Sequence, residues 1–245
     1  MLKIRHIAKP RTVGAHCQTE TKEMKKNLVI IFIIGLGLIS IYWKNFRPGL
    51  KGETAERRVK EYLKNSFQNG DIIFQTSKSS QSKAIQLATN SKYSHMGLIY
   101  ETDGHFFVYE AVQPVKLTKL DEWIKRGENS HYVVKRLKDS EKLLTSENLK
   151  KMKDLGEKFK GKNYDIYFEW SDDKIYCSEL VWKIYKETLD IEIGDLQELR
   201  EFDLTNDIVK NKMKERYGDK IPLDEKVISP ATMFDSDKLL TVREN

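Results

Sequence analysis

The sequence predicts an α+β fold with an antiparallel sheet, and three observations carry that expectation. Short apolar runs of strand length cluster between residues 72 and 137, two of them facing each other across a Gly-containing turn at 101–105. Stretches with apolar residues at helical spacing flank that cluster. The most apolar helical stretch, from Ile175 to Leu189, comes after it. Helices, then strands, then helix is an order that suits an antiparallel sheet covered by segregated helices.

The 245 residues fit one domain plus a segment at one end. The net charge of +6 is unevenly placed: residues 1–51 hold ten Lys and Arg against Glu20 and Glu23, which leaves the remainder at −2. A near-neutral domain behind a basic lead-in argues against nucleic acid as a partner and for a membrane-proximal segment. Leu28 to Trp43 is sixteen residues without a charge, flanked by Lys25, Lys26 and Lys44. About 17 residues is near the lower limit for a spanning helix. Tyr42 and Trp43 suit an interfacial anchor, and the lysines can snorkel. No small-residue cleavage pattern follows, so residues 28–44 read as an uncleaved signal-anchor in a lipid bilayer, behind a basic tail at 1–27. A buried core helix is the alternative. Seven Lys and Arg precede the span, which points to a single-pass protein with its domain extracytoplasmic. The first 23 residues, aperiodic and followed by Met24-Lys25-Lys26, resemble an upstream extension. His6, His16 and Cys17 lack the spacing of a metal site, and neither metal nor organic cofactor is called for.

A linker and a short amphipathic helix are expected within 45–68, with Ala55, Val59, Tyr62 and Leu63 on one face. The main domain is expected over 69–245. Asn69-Gly70-Asp71 is a turn, Ile72 to Phe74 a buried strand, and Ser79 to Thr89 a helix capped by Ser79 or Ser80. Met96 to Tyr100 and Phe106 to Val112 form a hairpin with a three- to five-residue loop. Leu120 to Lys125 is a short helix and Tyr132 to Leu137 a strand. Ser146 to Phe159 is an amphipathic helix capped by Ser146. The tail from Ile191 is charged and irregular, apart from possible edge strands at Lys226–Pro230 and Leu239–Val242.

Two residues suggest chemistry. Cys17 and Cys177 lie on opposite sides of the apolar run, so across a membrane they cannot pair, and Cys177 is a lone thiol in the domain. Counting from it, Leu180, Val181, Ile184 and Tyr185 share its helical face, so Cys177 opens a helix on its buried side. A helix start favours thiolate and offers unpaired N–H groups to an oxyanion. A buried small hydrophobe is the bland alternative. In Ser94-His95-Met96-Gly97, alternation puts His95 and Gly97 on one face, and Gly97 leaves room for a close neighbour. The hairpin brings Glu110 within one register step of His95, and a carboxylate in an apolar strand is costly unless paired. Cys, His and an orienting Glu match the nucleophile, base and orienter of thiol hydrolases. A lone strand histidine is otherwise a hydrogen-bonded structural residue.

Five motifs in order resemble one known family: Gly70-Asp71-Ile72-Ile73-Phe74, Tyr93-Ser94-His95-Met96-Gly97, Val108-Tyr109-Glu110-Ala111, Gly161-Lys162-Asn163-Tyr164-Asp165 and Tyr176-Cys177-Ser178-Glu179-Leu180-Val181. Together they are similar to the YiiX/YebB-like branch of the NlpC/P60 superfamily over residues 70–185. The resemblance implies a circularly permuted papain-like fold, in which an antiparallel sheet packs on a Cys-bearing helix and the His-bearing strands come first. It implies thiol chemistry on an amide or ester, with Cys177 as nucleophile, His95 as base, Glu110 as third member and Tyr164 lending a hydroxyl near the oxyanion or substrate. A packed loop aromatic is the other reading of Tyr164. Many members carry Asp-Cys-Ser-Gly at the nucleophile where this chain has Tyr176-Cys177-Ser178-Glu179, which weakens any transfer of peptidoglycan specificity. Ser178 and Glu179 read as first-turn helix residues.

The expected function is a membrane-anchored thiol hydrolase acting on a cell-wall peptide. The alternatives are a lipid or lipoprotein acyl hydrolase or acyltransferase on a lipid-linked substrate, a non-catalytic envelope-binding module, and a structural membrane protein with a buried Cys177.

Overall fold

The structure, a computed structural model, describes residues 67–245. The anchor expected over 28–44 and the helix expected at 52–65 lie outside the described residues. Among the described residues no helix is long and apolar enough to cross a membrane.

The chain runs β1 (Ile72–Gln75), α1 (Ser82–Thr89), β2 (His95–Thr102), β3 (His105–Glu110), β4 (Lys116–Lys119), α2 (Leu120–Arg126), β5 (Val133–Leu137), α3 (Ser140–Leu143) and α4 (Ser146–Phe159). It continues with β6 (Asn163–Tyr164), β7 (Lys174–Ile175), α5 (Cys177–Leu189), β8 (Gln197–Glu198), α6 (Asp207–Tyr217), β9 (Lys226–Val227), α7 (Pro230–Phe234) and β10 (Leu239–Glu244). Six strands form one sheet in the order β10-β5-β1-β2-β3-β4, antiparallel throughout. Alternation along its strands separates two apolar layers. Ile73, Ile99, Val108 and Val134 face Trp123 of α2. Ile72, Phe74, Met96, Leu98 and Tyr109 face α5 and α4. Residues Cys177 to Tyr185 of α5 are all buried, and Leu180, Val181, Ile184 and Tyr185 are fully so. That helix is therefore the centre of the larger layer, with Cys177 at its first turn as its periodicity predicts.

Several local expectations need correction. The hairpin loop is shorter than the one expected: Thr102 pairs with His105, leaving Asp103 and Gly104, both at positive φ, as a two-residue turn. Neither Ser79 nor Ser80 caps α1; Gln81 holds that position and makes no side-chain cap bond. Thr145, not Ser146, caps α4 by accepting from Asn148 N at 3.2 Å. The tail is not irregular. Helix α6 has only Val209 and Met213 buried, one turn apart, so its apolar periodicity is too sparse to register. Strand β10 is an edge strand of the main sheet, whereas β9 pairs with β8 in a separate ladder.

Candidate functional site

Cys177 opens α5, and its helix start is locked in place from several sides. Glu179 accepts from Tyr176 N at 3.3 Å, Ser178 Oγ donates to Ile228 O at 2.8 Å, and the Tyr176 hydroxyl accepts from Ile228 N at 3.1 Å. Glu179 is thus more than a surface residue complementing the helix dipole. It is fully buried beside Lys183 at 2.8 Å, and burial pushes its carboxyl up to about 8 despite that partner.

His95 opens β2, directly across from Gln75 of β1. Its Nε2 stands 2.7 Å from Oε2 of Glu110. Glu110 has no solvent exposure and gathers three further donors: Trp123 Nε1 at 2.9 Å on Oε2, Thr118 Oγ1 at 2.5 Å on Oε1, and Arg126 Nη2 on Oε1. Burial opposes its charge, but His95, Thr118 and Arg126 outweigh it and hold the carboxyl down at about 2. An ionised carboxylate only accepts, so His95 Nε2 carries a proton and Nδ1 is the nitrogen left for Cys177. The Trp123 ring stacks on the imidazole, with centroids 5.9 Å apart. Gly97 makes the histidine–glutamate contact possible. It follows His95 on the same face, and the space its missing side chain leaves is where the neighbouring strand comes close.

Cys177 and His95 perturb each other. Burial is the largest influence on the thiol and raises it. The hydrogen bond and charge of His95, with the N–H groups of Met96 and Ser178, overcome that and bring the thiol below its ordinary value. Burial likewise opposes the imidazolium, but Cys177 and Glu110 raise His95 to about 9. A lowered thiol beside a raised imidazole describes a thiolate–imidazolium pair.

Tyr164, in β6, reaches the same place. Burial is the main cause that holds its hydroxyl protonated, and Cys177 adds to this through charge and a hydrogen bond. Gln81 Nε2 donates to the Tyr164 oxygen at 2.9 Å. The four residues singled out from the sequence are therefore brought together. Sequence reading missed the groups behind them: Thr118, Trp123 and Arg126 around Glu110, and Gln81 beside Tyr164. Of these only Trp123 left a signal, as the sole aromatic of a predicted helix.

Cys177 is only 3% exposed, and what it faces is a cavity of about 80 Å³ that opens to solvent. Helices α1 and α6 supply much of its wall, including Ala84, Ala88, Val209 and Met213, and Leu199 and Phe202 extend it. Its cations, Lys212 and Arg216, both belong to α6.

Comparison with known proteins follows the same lines. Residues 66–243 match the family described as permuted papain-like amidase enzymes, YaeF/YiiX, C92 family. The chain is 50% identical to the Escherichia coli K12 protein YiiX over 175 residues, which is 71% of this chain and 85% of that one. A crystal structure described as metalloprotein YiiX from Escherichia coli O157:H7 is similar at a TM-score of 0.70 and 50% identity, over 73% of this chain and 97% of that one. The α+β architecture and the order of its parts, with the histidine strand ahead of the cysteine helix, agree with that match. This chain belongs to the C92 family of permuted papain-like amidases, a family of cysteine hydrolases.

Proposed function

We propose that the chain hydrolyses an amide or ester of an apolar acyl group, with Cys177 as nucleophile. In this reading the Cys177 thiolate attacks the carbonyl carbon, and the backbone N–H groups at the start of α5, with the Tyr164 hydroxyl, hold the oxyanion. The carbon–nitrogen or carbon–oxygen bond breaks as His95 gives its Nδ1 proton to the leaving group. Water then loses a proton to His95 and attacks the thioester, which releases the acid and restores the Cys177 thiolate beside the His95 imidazolium. Glu110 keeps the imidazole oriented and supports its positive charge throughout.

The observation that carries the choice of substrate is the apolar wall of the cavity that Cys177 faces. Side chains such as Ala84, Ala88, Val209 and Met213 offer a hydrocarbon chain burial, worth about 0.8 kcal/mol per methylene. They offer a polar cell-wall peptide few partners. The cavity therefore favours a lipid or lipidated substrate over the envelope peptide that the sequence suggested first. An anchor at 28–44 would hold such an enzyme beside its substrate, facing the extracytoplasmic side.

The solved relative is described as a metalloprotein. Among the described residues here no group of three or more His, Cys, Asp or Glu could hold a metal ion. Glu110, the carboxylate next to His95, spends its oxygens on four donors. The residues present do not fit a metal centre at this site.

The test is a series of p-nitrophenyl esters from acetyl to dodecanoyl, with mass measurement of the adduct on Cys177. The reading expects kcat/KM to rise with chain length and an acyl group to accumulate on that residue. Activity confined to acetyl, or to muramyl-peptide amides, contradicts it.

A further inference from the structure

A tyrosine hydroxyl serves an oxyanion only if its proton points at the reacting atoms, and two side chains outside the Cys177, His95 and Glu110 set decide where that of Tyr164 points. Arg216 on α6 donates from Nη2 to Oε1 of Gln81 at 2.5 Å. Gln81 in turn donates from Nε2 to the Tyr164 oxygen at 2.9 Å. The orientation of that amide follows from chemistry alone. A guanidinium has donors and no acceptor, so Gln81 must present its oxygen to Arg216, which leaves its NH2 for Tyr164. Once the Tyr164 oxygen accepts from Gln81, its own proton is left for the cavity that Tyr164 and Cys177 both line, and the thiol's influence on that hydroxyl agrees with this direction.

Two further observations support a dedicated arrangement. Gln81 occupies the N-cap of α1, where a side chain ordinarily turns back to the helix, yet it makes no cap bond and reaches across to β6 instead. Arg216 is itself held over the Phe168 ring, its guanidinium 4.8 Å from the centroid. All three residues line the cavity that Cys177 faces.

We infer that Gln81 and Arg216 are positioning residues that polarise the Tyr164 hydroxyl, aiming its proton at the Cys177 sulfur in the resting site and at the oxyanion during acyl transfer. The inference rests on the thiol-hydrolase reading. It also makes α6, in the charged C-terminal part of the chain, a contributor to the chemistry as well as to the cavity wall.

Gln81→Glu is the informative substitution. It is nearly isosteric, and its charge meets Arg216, so the cavity and fold should persist. A carboxylate cannot donate, however, so Tyr164 must turn its proton towards residue 81 and away from Cys177. Two quantities are read on the full chain: kcat for p-nitrophenyl octanoate, and the pH midpoint of Cys177 alkylation by iodoacetamide. Both are measured for Gln81→Glu alone and combined with Tyr164→Phe. Alone, the substitution should lower kcat about tenfold or more, up to the roughly 10²–10³ of outright loss of an oxyanion donor, and should raise the alkylation midpoint. Combined with Tyr164→Phe it should add little to either, because no proton remains to be turned. Arg216→Lys, which keeps a donor-only partner, should retain kcat that Arg216→Leu loses. Equal losses with and without the Tyr164 hydroxyl, or none in either background, would overturn the inference and make Gln81 a wall residue. Ester turnover that survives Cys177→Ser would instead overturn the hydrolase reading, and the alkylation cycle would still decide the relay.

Discussion

Gly97 stands on the rung next to the Leu98–Tyr109 pair, opposite Glu110, and a β-carbon there would lie 3.3 Å from the Glu110 Cβ and 2.4 Å from Val108 Cγ1. The space above this glycine is what lets the His95 imidazole and the Glu110 carboxylate meet diagonally across two strands. Tyr109 O, 2.8 Å from the same point, is backbone and cannot rotate away. Gly97→Ala should therefore cost about 1–3 kcal/mol, the range for overpacking, and should lower turnover more than a comparable loss of stability elsewhere in the sheet. Thermal denaturation and kcat measured on the same preparation check this. A variant as stable and as active as the parent would contradict it.

Glu110→Gln is expected to be harsher than a simple weakening of the proposed triad. Both carboxylate oxygens accept two bonds, from His95 and Trp123 on one and from Thr118 and Arg126 on the other. An amide must place its NH2 against one of these pairs. The buried conflict should cost about 3 kcal/mol and turnover should fall with it. Calorimetry with kinetics tests this, and loss of turnover without loss of stability would mean that the donors can rearrange.

The pH dependence follows from the two raised or lowered groups. In the proposed mechanism turnover requires Cys177 as thiolate and His95 as imidazolium, so kcat/KM should be bell-shaped. Its acid limb should lie below the ordinary thiol range, and its alkaline limb near the His95 value of about 9. Stability carries matching signs. His95 is raised from 6.5, so its contribution is complete below that pH and fades as pH rises through about 9. Glu110 is lowered from 4.5 to about 2, so its contribution is complete above 4.5 and fades as pH falls towards 2. Denaturant titrations from pH 2 to 10 would show both losses, and a flat profile would contradict the pairing.

Ala88 lines the cavity from α1. Ala88→Phe should fill part of that space, cut kcat/KM for dodecanoyl esters by at least about tenfold, the worth of two buried methylenes, and leave acetyl esters nearly unaffected. Equal losses on both would point to a general disturbance of the site.

How much of this could be read from the sequence depended on how local each signal was. The buried face of α5 was legible because Cys177, Leu180, Val181, Ile184 and Tyr185 repeat at helical spacing. The closeness of His95 and Glu110 was legible because a single hairpin joins them. Its turn proved tighter than expected, yet a diagonal contact tolerates that difference. Arg216 and Gln81 are 135 residues apart and meet only through tertiary packing. The helix that carries Arg216 buries just Val209 and Met213, too few to mark it. Caps were misassigned by one or two positions where several hydroxyl residues stood in a row, as at Thr145 and Ser146, since each has the chemistry to accept the same N–H.

The central claim is that His95 keeps Cys177 as a reactive thiolate, and the most direct measurement is the pH dependence of Cys177 alkylation by iodoacetamide, in the parent and in His95→Ala. The parent should show a midpoint below the roughly 8.5 of an ordinary thiol, and removal of the imidazole should move it upward and slow the reaction at neutral pH. A midpoint at or above the ordinary value, unchanged by His95→Ala, would make Cys177 a buried core residue and contradict the account.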